Sequence, residues 1–210
     1  FQAPFVPSQL VTLDSLRAVG VNDPWLSPGS TEPFGNNVDA YLDVFAPDGY
    51  TPAPGDFRGS VSAPGVFDFT YDTGLPADAN LTQRKAAVTQ LFYSINWFHD
   101  WYYAAGFNEI SGNGQSSNYG RGGVEGDPLR GEAQDNAGRN NANMSTPADG
   151  SRPRMQMFLW DKPLAQNVTV DTPASLAGTY NDVGAATFGP LNFQASGEIV
   201  RSNPLEGCTA

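Results

Sequence analysis

Few side chains in this sequence could do chemistry, and their types and spacing limit what chemistry that is. The single histidine, His99, sits beside Asp100, an arrangement suited to a general base or to a metal ligand steered by a carboxylate. Leu91, Phe92 and Ile95 share its helical stripe, so the stronger expectation is a core histidine with one hydrogen-bonded ring nitrogen. Glu125 with Asp127, or Glu132 with Asp135, could share acid–base work on a sugar. With 22 acidic residues in the chain, close carboxylates arise by accident, and a solvated loop is the default reading. The lone cysteine, Cys208, has no second histidine to activate it and reads as half of a disulfide whose partner lies beyond Ala210. Gly112-Asn-Gly-Gln-Ser-Ser117 and Gly120-Arg-Gly-Gly-Val-Glu125 both lack the third glycine of a dinucleotide fingerprint and the Lys-Ser/Thr of a phosphate loop, so both are expected to be plain loops. A catalytic zinc needs about three protein ligands. One histidine cannot supply them, so no catalytic and no metal-ligating residue is expected in this chain.

Arg139-Asn-Asn-Ala-Asn143 is different, because its chemistry is that of a backbone. An edge strand with small and amide side chains lets an extended peptide approach and add as a further strand. The amides of Asn141 and Asn143 would then meet the peptide's own N–H and C=O groups. An ordinary hairpin strand has the same composition, and the residues alone leave both readings open.

The elements that must position these residues follow from periodicity. Val88, Leu91, Phe92, Ile95, His99 and Tyr102 recur at helical spacing, with Asn80 or Thr82 as cap and Gly106 as terminator, which predicts one long helix over about 82–105. Val38–Phe45 is a short apolar alternation, and Gly65–Tyr71 carries the period of a half-buried strand. A hairpin is expected from strands near Arg130–Asp135 and Arg139–Met144 about the turn Asn136-Ala-Gly138. Met155–Trp160 is nearly continuously apolar and is expected to be buried on both faces. Residues 1–35, punctuated by five prolines, read as an extended surface arm. Beyond Pro163, Val168–Asp171, Tyr180, Ala186–Pro190 and Gly197–Val200 suggest short strands of a second unit.

Composition removes whole classes of function. A net charge of −11 with two lysines repels phosphate backbones, so nucleic acid is not an expected partner. No run approaches the ~18 apolar residues of a membrane span, so no membrane is expected either. Forty percent hydrophobic content makes this a folding chain, and Gly 23 with Pro 17 favours long ordered loops and short strands. Calcium stays open as a ligand, although no D-x-[DN]-x-[DN]-G loop is present.

Several pieces in order and spacing resemble the fungalysin family of secreted zinc metallopeptidases. They are Val21-Asn-Asp-Pro24, Gly35-Asn-Asn-Val-Asp-Ala-Tyr-Leu-Asp43, Thr89-Gln-Leu-Phe-Tyr93 with His99-Asp100, Asn118-Tyr-Gly-Arg-Gly-Gly123, Ala133-Gln-Asp135, Asn140-Asn-Ala-Asn143 and Pro153-Arg-Met-Gln-Met157. The match runs over roughly residues 20–162. Ala177-Gly-Thr-Tyr180, Phe188-Gly-Pro190 and Gly207-Cys208 are similar to the start of a protease-associated domain. The resemblance implies an α+β fold: a thermolysin-like N-terminal lobe, mostly β with one long helix, over 36–163, then an incomplete β-rich protease-associated-like unit over 164–210. It also implies a secreted, extracellular zinc endopeptidase in which Asn141, Ala142 and Asn143 grip an extended polypeptide substrate. The zinc-binding H-E-x-x-H segment would lie outside this chain, in a C-terminal continuation or a companion chain. The alternative is a non-catalytic secreted β-rich module that binds peptide or glycan.

Overall fold

Alternation along Val38–Leu42 puts Val38, Ala40 and Leu42 on one face of a strand and Asp39 and Tyr41 on the other, and this segment forms β1. A computed structural model describes residues 9–13, 22–161 and 167–180. Those up to Asp161 belong to one unit and 167–180 to another. In the first unit β1 is followed by helix α1 (Leu81–Ala104), β2 (Leu129–Arg139), β3 (Ala142–Ser145) and β4 (Arg154–Leu159). They make a four-stranded sheet in the order β1-β2-β4-β3, parallel across β1/β2 and β2/β4 and antiparallel across β3/β4. In the second unit β5 (Val168–Val170) and β6 (Gly178–Tyr180) pair antiparallel.

Residues paired across a sheet share a face. On one face the register lines up Ala40, Gly131, Met155 and Met144, and beside them Leu42, Ala133, Met157 and Ala142. α1 covers the β1 and β2 part of this face, while Met144 on β3 is exposed. Val88, Phe92 and Ile95 pack with Val38, Ala40, Leu42, Ala133 and Trp25 into the core, and Met155 leans on it. Glycine at 131 permits the approach, since a Cβ there would come within 2.8 Å of Ile95 Cδ1. The opposite face is polar: Tyr41, Glu132, Gln156 and Asn143 form one row, and Asp39, Arg130, Arg154 and Ser145 the next.

The helix matches its expected span to one residue. Asn80 is the cap, its side chain accepting from Gln83 N–H at 3.0 Å, and the chain leaves through Gly106 at φ +103°. Tyr102, expected on the buried stripe, is instead half-exposed. Trp25, in the expected surface arm, is sunk into the core and donates its indole N–H to Asp100 Oδ2 at 2.9 Å.

Three other expectations change. β2 does not turn back at 136–138: those residues bulge out between Asp135 and Arg139, which pair with the successive β4 residues Phe158 and Leu159, and the chain reverses at Asn140, which holds φ +58°. Asparagine tolerates that left-handed conformation. β2 and β3 are therefore not a hairpin, because β4 inserts between them and satisfies both. Gly65–Tyr71 forms only an isolated bridge from Val66 to Ala63, leaving its aromatics without a sheet face to cover. β4 is half-buried, with only Gln156 fully enclosed, since one of its faces belongs to the polar rows. The expected strands at 186–190 and 197–200, and Cys208, lie outside the described residues.

The Gly-rich stretch after α1 is held by charge. Glu109 accepts from Arg121 Nε at 2.6 Å and Tyr103 Oη at 2.8 Å, and Arg121 also pairs with Asp23. Burial alone would raise the Glu109 carboxyl, but its backbone hydrogen bond, Arg121 and Tyr103 outweigh burial and hold it below the ordinary 4.5. A depressed acid stabilises the fold fully above its unfolded pKa and loses that contribution as pH falls through the folded value. The urea midpoint should therefore fall more between about pH 6 and about pH 3 in the native chain than in Glu109→Gln. Equal falls would remove Glu109 from this role.

Candidate functional site

Among the described residues, β3 is an edge strand with nothing paired on its outer side. Asn141 C=O accepts from Phe158 N–H at 3.3 Å, and Asn143 stands opposite Gln156. Inward and outward backbone groups alternate in an antiparallel ladder. The N–H and C=O of Asn143 thus serve β4, while those of Ala142 and Met144 face the open edge. The Asn143 side chain belongs to the polar face, in line with Gln156 and Glu132.

That polar row ends in a carboxylate group that a regular strand could not build. Glu132 and Asp135 are three apart, so an unbroken β2 would send them to opposite faces. The register slips between Ala133 and Asp135, and Gln134 takes φ +52° as the extra residue of a bulge. A bulge re-aims the side chains that follow it. Gln134 is held there by its amide, which donates to Ala77 C=O at 2.7 Å. Asp43, the next polar-parity position after Asp39 and Tyr41, and Asp48, from the loop after β1, complete the group. One carboxylate oxygen from each of Asp43, Asp48, Glu132 and Asp135 lies within 4.8 Å of the other three.

Their surroundings are specific. Glu132 is fully buried and accepts from Tyr41 Oη at 2.6 Å. Asp135 accepts from Ala137 N–H and from Gln156 Nε2, each at 2.6 Å, and Gln156 Nε2 also reaches Asp48 Oδ1 at 3.0 Å. Asp43 Oδ2 accepts from Gly49 N–H at 2.8 Å. Arg154 pairs with Asp48 and lies 3.7 Å from Glu132 Oε2, whereas Arg58 and Arg152 are both spent on Asp39. Burial, reinforced by the charges of Asp135, Asp56 and Asp48, pushes Asp43 up to about 6 against the Gly49 bond. Burial likewise pushes Glu132 up to about 7, against Tyr41 and Arg154, which favour its anion, and with the Asp43 charge and a hydrogen bond to Asp135 adding to the rise; burial beside Glu132 raises the Tyr41 phenol.

The other residues singled out from sequence are structural. His99 Nδ1 lies 3.2 Å from Asp100 Oδ1 and Nε2 3.4 Å from Asn113 Nδ2, so neither ring nitrogen faces an open site. Asp127 is buried, not solvated: it clamps Gln115 N–H at 3.0 Å and Gly150 N–H at 2.9 Å, while Glu125 accepts from Asn118 N–H at 3.0 Å. Asp43 and Asp48 were not legible as site residues. Only the parity of Asp43 with Asp39 and Tyr41 signals it.

Fold and site together define an α+β lobe with one apolar face under a helix, one carboxylate-rich face and an open antiparallel edge. The chain belongs to the fungalysin metallopeptidase family (M36), whose family model matches residues 11–189. It is 40% identical over 139 residues to an extracellular metalloproteinase of Fusarium vanettenii, covering 65% of this chain and 21% of that protein. Extracellular metalloproteinase 1 of Arthroderma otae is 40% identical over 141 residues, 66% of this chain and 21% of its own length. A probable extracellular metalloproteinase 4 of Arthroderma benhamiae is 45% identical over 96 residues, 46% and 15% of the two chains. The matches with the first two therefore span about a fifth of those relatives.

Zinc, which the family implies, is held in a catalytic site by three protein ligands, at least two of them histidine or cysteine, with a carboxylate as the third in some enzymes. The chain has one histidine and one cysteine, His99 is engaged at both nitrogens, and the carboxylate group is all oxygen. These residues do not fit a zinc site.

Proposed function

We propose that this chain is the substrate-side part of a secreted zinc metalloendopeptidase, with the thermolysin-like N-terminal lobe ending near Asp161 and a protease-associated-like unit following it. An extended polypeptide adds to the outer edge of β3, and the outward N–H and C=O of Ala142 with the amides of Asn141 and Asn143 hold its backbone. Chemistry at the scissile bond is assigned to residues outside this chain, in a continuation or a companion bearing H-E-x-x-H. The observation that carries the reading is the open β3 edge within a chain of this family. A second supports a further lobe: Phe98, Trp101 and Tyr102 lie at i, i+3, i+4 spacing on α1, are each about half-exposed, and touch through their rings, Phe98 with Tyr102 and Trp101 with Tyr102. A contiguous aromatic face of this kind marks a surface awaiting a partner.

The test compares the 210-residue chain with the intact protein in a casein assay, alongside metal analysis. The intact protein should hydrolyse casein, lose activity to a chelator and regain it with zinc, and the chain alone should do neither. Tightly bound zinc or robust proteolysis in the isolated chain would overturn the assignment. An intact protein without zinc or proteolysis would favour a non-catalytic binding module.

A further inference from the structure

We propose that Asp43, Asp48, Glu132 and Asp135 bind a calcium ion on the polar face of the sheet. Two observations lead there independently. The first is size. Calcium binds oxygen at about 2.4 Å, so ligands around one such ion stand up to about 4.8 Å apart. No two of the four ligand oxygens exceed 4.8 Å. The second is an unmet need. Asp43 and Glu132 are both fully buried, and among the described residues no N–H or hydroxyl donates to Asp43 Oδ1 or Glu132 Oε2. Water and protein N–H groups normally satisfy such atoms, and an orphaned carboxylate oxygen is costly. The nearest cationic group to Glu132 Oε2 is Arg154 Nε at 3.7 Å, outside hydrogen-bond range.

Charge points the same way. Among the described residues one guanidinium, that of Arg154, reaches the group and is itself paired to Asp48, so ionising all four carboxylates leaves anionic charge that a bound cation neutralises. Hard oxygen donors with no nitrogen or sulfur among them select calcium over zinc. Asp48, the exposed member, gives the ion its way in. The bulge at Gln134 explains why β2 departs from regular geometry here: it brings Asp135 to the face that Glu132 already occupies. Gln156, which donates to both Asp135 and Asp48, stands opposite Asn143 and links the ion's shell to the edge strand.

Terbium, an oxygen-seeking calcium mimic, reports the site through Tyr41, whose hydroxyl touches Glu132. In the intact protein at constant zinc, excitation of tyrosine should give saturable terbium luminescence that calcium displaces. Calcium at about 10 mM, roughly tenfold above the weak end of the affinity range of extracellular sites, should raise Tm by about 3–6 °C. Asp43→Asn and Asp135→Asn keep shape while removing charge, and near-UV circular dichroism checks that they fold. Each should weaken terbium binding at least tenfold and abolish the calcium shift. Absence of both signals in the native protein, or their persistence in both folded variants, would overturn the site.

Discussion

Ala142→Pro in the intact enzyme is expected to raise KM for extended peptides about 10–100-fold while leaving the fold in place. The proline removes one backbone N–H, and the antiparallel alternation assigns that N–H to the open edge and not to β4. Edge strands accept proline when the lost donor faces outward. A hydrogen bond made in a desolvated cleft contributes about 1–3 kcal/mol, which sets the size of the effect. Asn143→Pro provides the contrast. Its N–H points to Gln156, so that change should lower stability by weakening β3 itself. Peptide hydrolysis with unaltered KM in a folded Ala142→Pro enzyme would show that substrate does not pair with this edge. Equal loss of stability in both variants would show instead that the register of β3 is misassigned.

The helix was legible because it depends on local pattern. Asn80, the apolar stripe from Val88 to Ile95 and Gly106 fix α1 without help from the rest of the chain. Alternation fixed β1, and the apolar run fixed β4. The sheet order was not legible: Asn136-Ala-Gly138 carries turn residues and bulges out of the ladder, yet β2 resumes after it because β4, arriving from 15 residues further on, pairs in parallel with Asp135 before it and Arg139 after it. Nor was the carboxylate group. At strand periodicity Glu132 and Asp135 look like strangers on opposite faces, and only a bulge created by tertiary register brings them together. Asp48 comes from a loop whose position depends on Arg154 and Gln156, more than 100 residues away in sequence. Secondary structure followed from spacing, whereas the polar face followed from pairing.

The largest stability effect is expected from Gly35→Ala. A Cβ at this position would overlap the Trp25 carbonyl oxygen and come within 3.4 Å of Phe92 Cζ. The carbonyl cannot simply step aside. It accepts from Asn36 N–H at 3.3 Å, and Gly35 N–H is committed to Val38 C=O at 2.8 Å. Moving the Trp25 backbone would also draw its indole away from Asp100 and from the edge-on contact with Tyr93, 5.7 Å between centroids. Loss of a buried tryptophan's packing costs about 3–5 kcal/mol, and the variant should approach that figure in urea unfolding. Gly59→Ala is the matched control. A Cβ there meets nothing closer than 3.8 Å, so the change should be neutral or should stabilise by about 0.4–1 kcal/mol through the unfolded chain. If Gly35→Ala stays within about 1 kcal/mol of the native protein, Trp25 is not the anchor that ties the N-terminal segment to helix α1.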